Sequence, residues 1–464
     1  MDSEDFKKDD GAFDQAGMFN PYLFSRDPKL EEASEALYKA VNFSGHPSLV
    51  KQHLKILMLN IVYAKKQRKL GTIRYSRRNE YWRDFNKLWP NPWGISAKLD
   101  DVVDAMVEAG LLSRKIGFVT NDLKRQTRIQ PTKKFTKKYI NPFNLLNIPL
   151  EFHETFPLVQ VHLKETPSYD PSSVWHWRYE AKGRTAIPNQ LRKMKDQLRS
   201  YNSFIAKQKI TLEYRAETKE ALSAINFSLK KRSYRVFSNR EINQGGRIYG
   251  GWWQEIKSEL RQFIFINGKS AVECDYKAQH AAMVYGYCLG KSVEEVHGQG
   301  FDPYKFHKYP RELGKAIFIR ALNVKSRNHV RGSLIKKYED DLTVDKGKDK
   351  DTARLCLPYV LNEFDAVMDA FEAHHAPILK PKRFLYPQTK DKKWWKLFQF
   401  YDSQICMYVL ETLRKEKIPC LSLHDSFIVQ EKDEKRLREV MKEAYFKADL
   451  IPDLSKCLPK IEKK

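Results

Sequence analysis

Apolar residues recur at helical spacing through residues 49–65, where Leu54, Ile56, Leu57, Leu59, Ile61 and Val62 predict one long amphipathic helix. Residues 99–109 repeat the pattern with Val102, Val103, Met106 and Val107 on one face, and Gly110 supplies a stop. The period then changes. LLSRKIGFV (111–119) and TRIQPT (127–132) read as two strands around a polar, basic loop at residues 121–126. Before them, residues 74–86 interleave Arg74, Arg77, Arg78 and Arg83 with Tyr75, Tyr81 and Trp82. Residues 1–35 are acidic and mixed, without a clear period, and are expected to form a flexible tail. Residues 141–240 read as a helical connector: PNQLRKMKDQLRSYNSFIAKQ and KEALSAINFSLKKRSYRVFS predict helices with Lys and Arg outward. Such a face suits either a phosphate backbone or plain solvent.

The second half of the chain carries sharper signals. FIFI (263–266) is a strong β run, and Asn267-Gly268 follows as the preferred tight hairpin turn, because both residues tolerate φ > 0. The chain returns as SAVEC and reaches Asp275. Behind it Ala278, Ala281, Ala282, Tyr285 and Leu289 recur at helical spacing. An aspartate thus stands where a paired strand passes into a buried helix. It either caps that helix or faces a cation, since desolvating a lone carboxylate is costly. A second site of similar build lies at residues 418–430, IPCLSLHDSFIVQ, where two apolar runs flank His424-Asp425-Ser426 in a tight turn. Asp433 then opens a helix with Leu437, Val440, Met441 and Ala444 on one face.

Net charge narrows the field of partners. The chain has 464 residues, with 83 Lys+Arg against 58 Asp+Glu, a formal net charge of +25. That excess points to a polyanion, nucleic acid or an anionic membrane. No apolar run is long enough to span a bilayer and the acidic start lacks a signal-peptide pattern, so nucleic acid is the expected partner and the cytoplasm the expected compartment. The six cysteines, Cys274, Cys288, Cys356, Cys406, Cys420 and Cys457, form no C-x-x-C pair, which indicates neither a zinc site nor a disulfide framework.

If the strands bearing Asp275 and Asp425 share a sheet, the two carboxylates converge and hold a pair of divalent ions. Such ions sit ~3.5–4 Å apart and clamp the attacking and leaving oxygens of a phosphoryl transfer. Oxygen ligands select Mg²⁺ or Mn²⁺ over zinc. Between the two acids lies RELGKAIFIRALN (311–323), whose Arg311, Lys315, Ile319 and Asn323 share one helical face with two cations at one end, suited to a triphosphate. The glycines and Arg247 of NREINQGGRIYGGWWQEI (239–256) fit a close approach of backbone to ligand, with Trp252 and Trp253 as candidate core.

The order of these motifs resembles the polymerase domain of family A DNA polymerases and the related single-subunit phage RNA polymerases, over about residues 240–445. GGRIYGGWWQEI with RQFIFI resembles the T-G-R-L-S-S segment. CDYKAQHAAMVYG resembles motif A, RELGKAIFIRALN motif B and LSLHDSFIV motif C, the last closest to the RNA polymerase version. Residues 36–140, helices followed by a β-hairpin, resemble a winged-helix module, a class that usually places one helix in the DNA major groove. These resemblances imply an α+β fold: a right-hand palm with an antiparallel sheet in residues 241–464, helical fingers, a reduced thumb and an N-terminal winged-helix-like domain. They imply that Asp275 and Asp425 bind two Mg²⁺ or Mn²⁺ ions, helped by the carbonyl of Tyr276. Arg311 and Lys315 would hold the triphosphate, with Lys315 catalytic. Arg247, Gln404 and His424 would position primer end and template.

Three departures bear on the sugar. His280 stands where DNA polymerases of the family have a Glu that excludes the ribose 2′-OH, Asn323 stands for the Tyr of motif B, and Ile319 for its Phe. The leading expectation is a template-directed DNA polymerase acting on template–primer DNA and nucleoside triphosphates. It would replicate or prime a mobile element, without a proofreading domain. A primase or small RNA polymerase, with RNA as a further partner, is the second. A non-catalytic nucleic-acid-binding replication initiator or defence protein is the third.

Overall fold

The computed structural model describes residues 16–67, 70–88, 91–119, 124–161, 189–225, 227, 229–238, 242–343, 347–379, 394–447 and 457–464. The architecture is α+β, and the chain divides into two units, Met1–Arg240 with Tyr249–Ile264, and Glu241–Ile248 with Phe265–Lys464.

In the first unit the expected tail is corrected from residue 16 onward; residues 1–15 lie outside the described residues. Gly17–Met18 pairs parallel with Ile73–Tyr75, and Leu23–Phe24 pairs with Glu151–Phe152. Pro28–Ala40 is a helix whose Asp27 carboxylate accepts from the Lys29 N–H at 3.0 Å. Leu30, Ala33, Ser34 and Leu37 face inward, a helical period hidden by the acidic residues around it. The buried Asn60 side chain secures the preceding loop, accepting from Asn20 N at 2.6 Å and donating to Asn20 O at 3.1 Å.

The predicted long helix is Pro47–Lys66, and its first residue is a proline, which lacks only an N–H that would find no helical partner there. Helices Asn79–Leu88 and Leu99–Glu108 follow, then strand Leu112–Lys115 antiparallel to Thr127–Pro131. Thr127–Pro131 also pairs with Ile73–Tyr75, so these strands run in the spatial order first, third, second. Of the expected loop, residues 121–123 lie outside the described residues, and Lys124–Arg125 is a strand paired with Phe118–Val119. In the connector, Asn189–Ala206 and Lys219–Ala224 are helices as predicted. Tyr234–Phe237 is not: it pairs parallel with Val159–Val161, and its alternate residues Arg235 and Phe237 are buried. A two-residue alternation this short is easily absorbed into a preceding helical run. Trp252 and Trp253 are fully buried.

The second unit is built on an antiparallel sheet. β1 (Ile264–Ile266) turns through Asn267 and Gly268, at φ 52° and 76°, into β2 (Lys269–Tyr276). Helix α1 (Gln279–Leu289) follows, then α2 (Arg311–Ala321), the helices Arg327–Thr343, Gly347–Asn362 and Phe364–His374, and α3 (Trp394–Lys415). β3 (Leu421–Ser422) and β4 (Ser426–Gln430) form a hairpin, α4 (Glu434–Lys447) comes next, and β5 is Ile461–Lys463. The strand order is β1-β2-β4-β3, with β5 paired to the end of β2. Cys274 and Tyr276 face α4, where the Tyr276 hydroxyl donates to Met441 O at 2.5 Å. Side chains alternate across a strand, so Glu273 and Asp275 emerge on the opposite face. No helix among the described residues is long and apolar enough to cross a membrane.

α2 is seated on Gly314. A Cβ there would overlap the Tyr304 carbonyl oxygen and sit 3.0 Å from the Phe306 ring. Alanine would favour the helix by at most about 1 kcal/mol, whereas overpacking costs about 1–3 kcal/mol. Gly314→Ala should therefore lower the chemical-denaturation midpoint despite its better helix propensity; an unchanged or raised midpoint would show that α2 is not held this closely.

Candidate active site

β2 pairs with β4 so that Asp275 faces Ser426, and Tyr276 N donates to Asp425 O at 3.2 Å. The two acids, 150 positions apart in sequence, are thus cross-strand neighbours. Asp425 sits in the two-residue turn of the β3–β4 hairpin, closed by Leu423 N donating to Ser426 O at 2.8 Å, with His424 at φ 72°. Asp275 does not cap α1. The residue before that helix is Ala278, at φ 51°, and no side chain caps it. The alternative reading of Asp275 as a cap is thereby set aside.

The site is electrostatically crowded. Burial, then the charge of Asp425, push the Asp275 carboxyl up to about 6, against the opposing ammonium of Lys464. Asp402, on α3 and 1% exposed, is also pushed up to about 6, by burial first and by Asp425 and Asp275 after it, while Arg247 opposes. Arg247 Nε donates to Asp402 Oδ2 at 2.8 Å. Its Nη2 stands 3.3 Å from His280 Nε2. A guanidinium only donates, so His280 Nε2 accepts and its proton sits on Nδ1. Burial and the Arg247 charge hold both His280 and His424 down at about 4, so both imidazoles are neutral at neutral pH.

Two buried carboxylate oxygens, Asp275 Oδ1 and Asp402 Oδ1, accept no hydrogen bond. An orphaned, desolvated anionic oxygen beside a second carboxylate fits a hard divalent cation. Among the described residues no group of three or more His, Cys, Asp or Glu is arranged to hold a metal. Two carboxylates would be the protein's share, which suits Mg²⁺, an ion that keeps waters and takes further oxygens from phosphates.

The other predicted residues divide. Arg247, His280 and His424 gather around the two acids, and the Lys315 charge is felt at His280. Arg311, at the start of α2, instead donates to Asp302 Oδ2 at 2.7 Å and lies over the Tyr304 ring at 5.2 Å. Lys315 is exposed one turn later, and Ile319 is exposed on the same face. Asn323 does not extend that face: α2 ends at Ala321, and Asn323 folds back to donate to Ile319 O at 2.7 Å. The Tyr276 side chain is packed into the core, which leaves only its backbone for the site. Gln404 is half-buried on α3, two residues from Asp402 and so about 200° around that helix. Three residues escaped the sequence reading: Glu273, Asp402 and Lys464. Asp402 did leave a trace, as a lone acid in the apolar run LFQFYDSQICMYVL.

No protein-family model matches the chain, and no curated protein matches it.

Because burial raises the Asp275 carboxyl, its charged form is disfavoured in the folded state. The penalty is absent below the ordinary value of 3.8 and fully present above about 6. Without divalent ions, stability should fall as pH rises through that window, by about 3 kcal/mol. Asp275→Asn should melt a few degrees higher than wild type at pH 8 in chelator and level with it at pH 4. A variant that melts lower at pH 8 would contradict this.

Proposed function

We propose that the second unit is a template-directed nucleotidyltransferase of the right-hand polymerase kind, with β1–β5 as palm and the helices from α1 to α3 as fingers. The observation that carries this reading is the meeting of Asp275 and Asp425 across β2 and β4, with a buried Asp275 oxygen that accepts no hydrogen bond. Divalent ions bound there would supply charge neutralisation and an activated attacking oxygen. Asp275 and Asp425 hold their place through strand register, and the Tyr276 carbonyl would assist them. Lys315 is exposed to receive the triphosphate and to balance charge on the leaving pyrophosphate. Arg311 joins it by exchanging Asp302 for a phosphate oxygen, a charge-for-charge swap. Arg247, fixed by Asp402 and set beside His280, would position the primer end near His424. The partners are template–primer DNA and nucleoside triphosphates, the cofactor is Mg²⁺ or Mn²⁺, and the role is replication or priming of a mobile element without proofreading.

The first unit supports a winged-helix reading through its order, helix–strand–helix–helix–strand–strand, and its strand arrangement. Nucleic-acid contact through the last of those helices is disfavoured, because Leu99–Glu108 (LDDVVDAMVE) carries four acids and no base. The basic hairpin after it is the better candidate.

A second reading, RNA synthesis, is favoured by His280. A neutral imidazole tied to Arg247 stands where the family's DNA polymerases place the carboxylate that excludes a 2′-hydroxyl, so that exclusion is absent. Purified protein with Mg²⁺ and a primed template should extend the primer, and Asp275→Ala or Asp425→Ala should cut extension by about 10³-fold while the protein stays folded. Running NTPs against dNTPs, with and without primer, separates polymerase from primase. Extension that survives either substitution removes the assignment, and binding without incorporation under every condition leaves a nucleic-acid-gripping protein.

A further inference from the structure

We infer that Lys464 is a built-in cation of this site, one that competes with a divalent ion for Asp275. The inference rests on the two-carboxylate reading above. Lys464 Nζ lies 2.7 Å from Asp275 Oδ2 and 3.4 Å from Glu273 Oε1. Glu273 and Asp275 are two residues apart on β2 and share a face. The register puts Lys463 opposite Cys274, and Lys464 N donates to Glu273 O at 3.0 Å, so Lys464 stands opposite Glu273 and reaches diagonally to Asp275. Ser426 Oγ donates to Glu273 Oε1 at 2.8 Å, which aims that carboxylate at the same ammonium.

The position is imposed by the strand. Lys277 N donates to Lys460 O at 2.8 Å, and Arg438 Nη1 donates to Ile461 O at 2.9 Å. Lys463 pairs with Glu434 at 3.3 Å, and Lys277 with Glu462 at 3.2 Å. β5 is therefore held on both its backbone and its side chains, and it carries Lys464 to the acids in a fixed register.

The consequence concerns when the site fills. An ammonium at this distance offsets part of the negative charge that attracts a divalent ion, and it occupies one oxygen of Asp275. The free ion then binds weakly. It binds well only with an anionic companion, whose phosphates supply the oxygens and charge that Lys464 withholds. The ligand class is a divalent cation accompanied by a nucleoside triphosphate.

The test is Mn²⁺ binding to the full chain, without nucleotide, followed by electron paramagnetic resonance at pH 8. Lys464 is 47% exposed, so its replacement leaves the core intact. Lys464→Ala should bind Mn²⁺ about five- to tenfold more tightly than wild type, since it loses one half-exposed ion-pair partner. Lys464→Arg, which keeps the cation, should bind as wild type does, and Asp275→Asn should lose the site. If Lys464→Ala binds equally or more weakly while binding still depends on Asp275, Lys464 does not compete and this inference alone fails. If Asp275→Asn leaves Mn²⁺ binding unchanged, the metal reading fails and takes this one with it.

Discussion

Like charges forced together by apolar strand pairing govern the second unit. Along β2 and β4 the buried residues Val272, Cys274, Phe427 and Val429 supply the burial that holds the two strands. That burial requires one register, because a slip of one residue would turn every side chain to the other face. The same register puts Asp275 beside Asp425. The acids cannot be separated without exposing Tyr276, whose ring packs against Tyr445 with centroids 5.2 Å apart and whose hydroxyl is spent on Met441 O. Apolar packing thus holds an electrostatic arrangement that would not form by itself.

The compensation comes mainly from cations, more than from neutral hydrogen bonds, and magnitudes say why. Two unit charges 4 Å apart repel by about 4 kcal/mol at an effective dielectric of 20, whereas a typical hydrogen bond is worth about 1 kcal/mol. Lys464 answers Glu273 and Asp275, and Arg247 answers Asp402. Both cations come from segments far away in sequence. The neutral imidazoles of His280 and His424 add no charge to the site, because burial and Arg247 keep them unprotonated. Such a site is balanced but loosely so, since Asp275 Oδ1 and Asp402 Oδ1 still lack donors. An incoming divalent cation would relieve what the protein leaves uncompensated.

What was legible in the sequence was local. The Asn267-Gly268 turn, the run into α1 and the HDS hairpin each announce themselves over a few residues, and each is observed. The convergence of Asp275 with Asp425 needed one further assumption, a shared sheet, which the antiparallel register supplies. Long-range pairing was not legible. Nothing in IEKK at residues 461–464 announces that its strand would add to β2, because three residues carry too little alternation to read. The face of α2 is overextended for a related reason: the helical period continues on paper through Asn323, while the regular helix ends at Ala321 and Asn323 folds its side chain back onto Ile319 O. Arg311 was assigned by spacing, and spacing says nothing of Asp302, which lies outside the helix.

The first unit shows the same limit in its charges. Counting Lys and Arg across residues 74–128 suggests a basic surface, yet much of that charge is matched internally. Asp100 accepts from Tyr75 at 2.5 Å and from Arg77 at 2.6 Å, Asp104 is paired with Arg114, and Asp101 with Lys98 at 3.0 Å. These acids sit in the first two turns of Leu99–Glu108, where they also favour the helix dipole. Arg114 is therefore engaged in holding helix to strand, and Arg77 in holding the segment after Tyr75 to the same helix. A phosphate approaching that helix would meet its acids and would have to break these pairs to gain a cation. Net charge is a property of the whole chain, while affinity for a polyanion depends on which cations are left unmatched at one surface. In this unit that surface is not the helix that fold analogy alone would nominate.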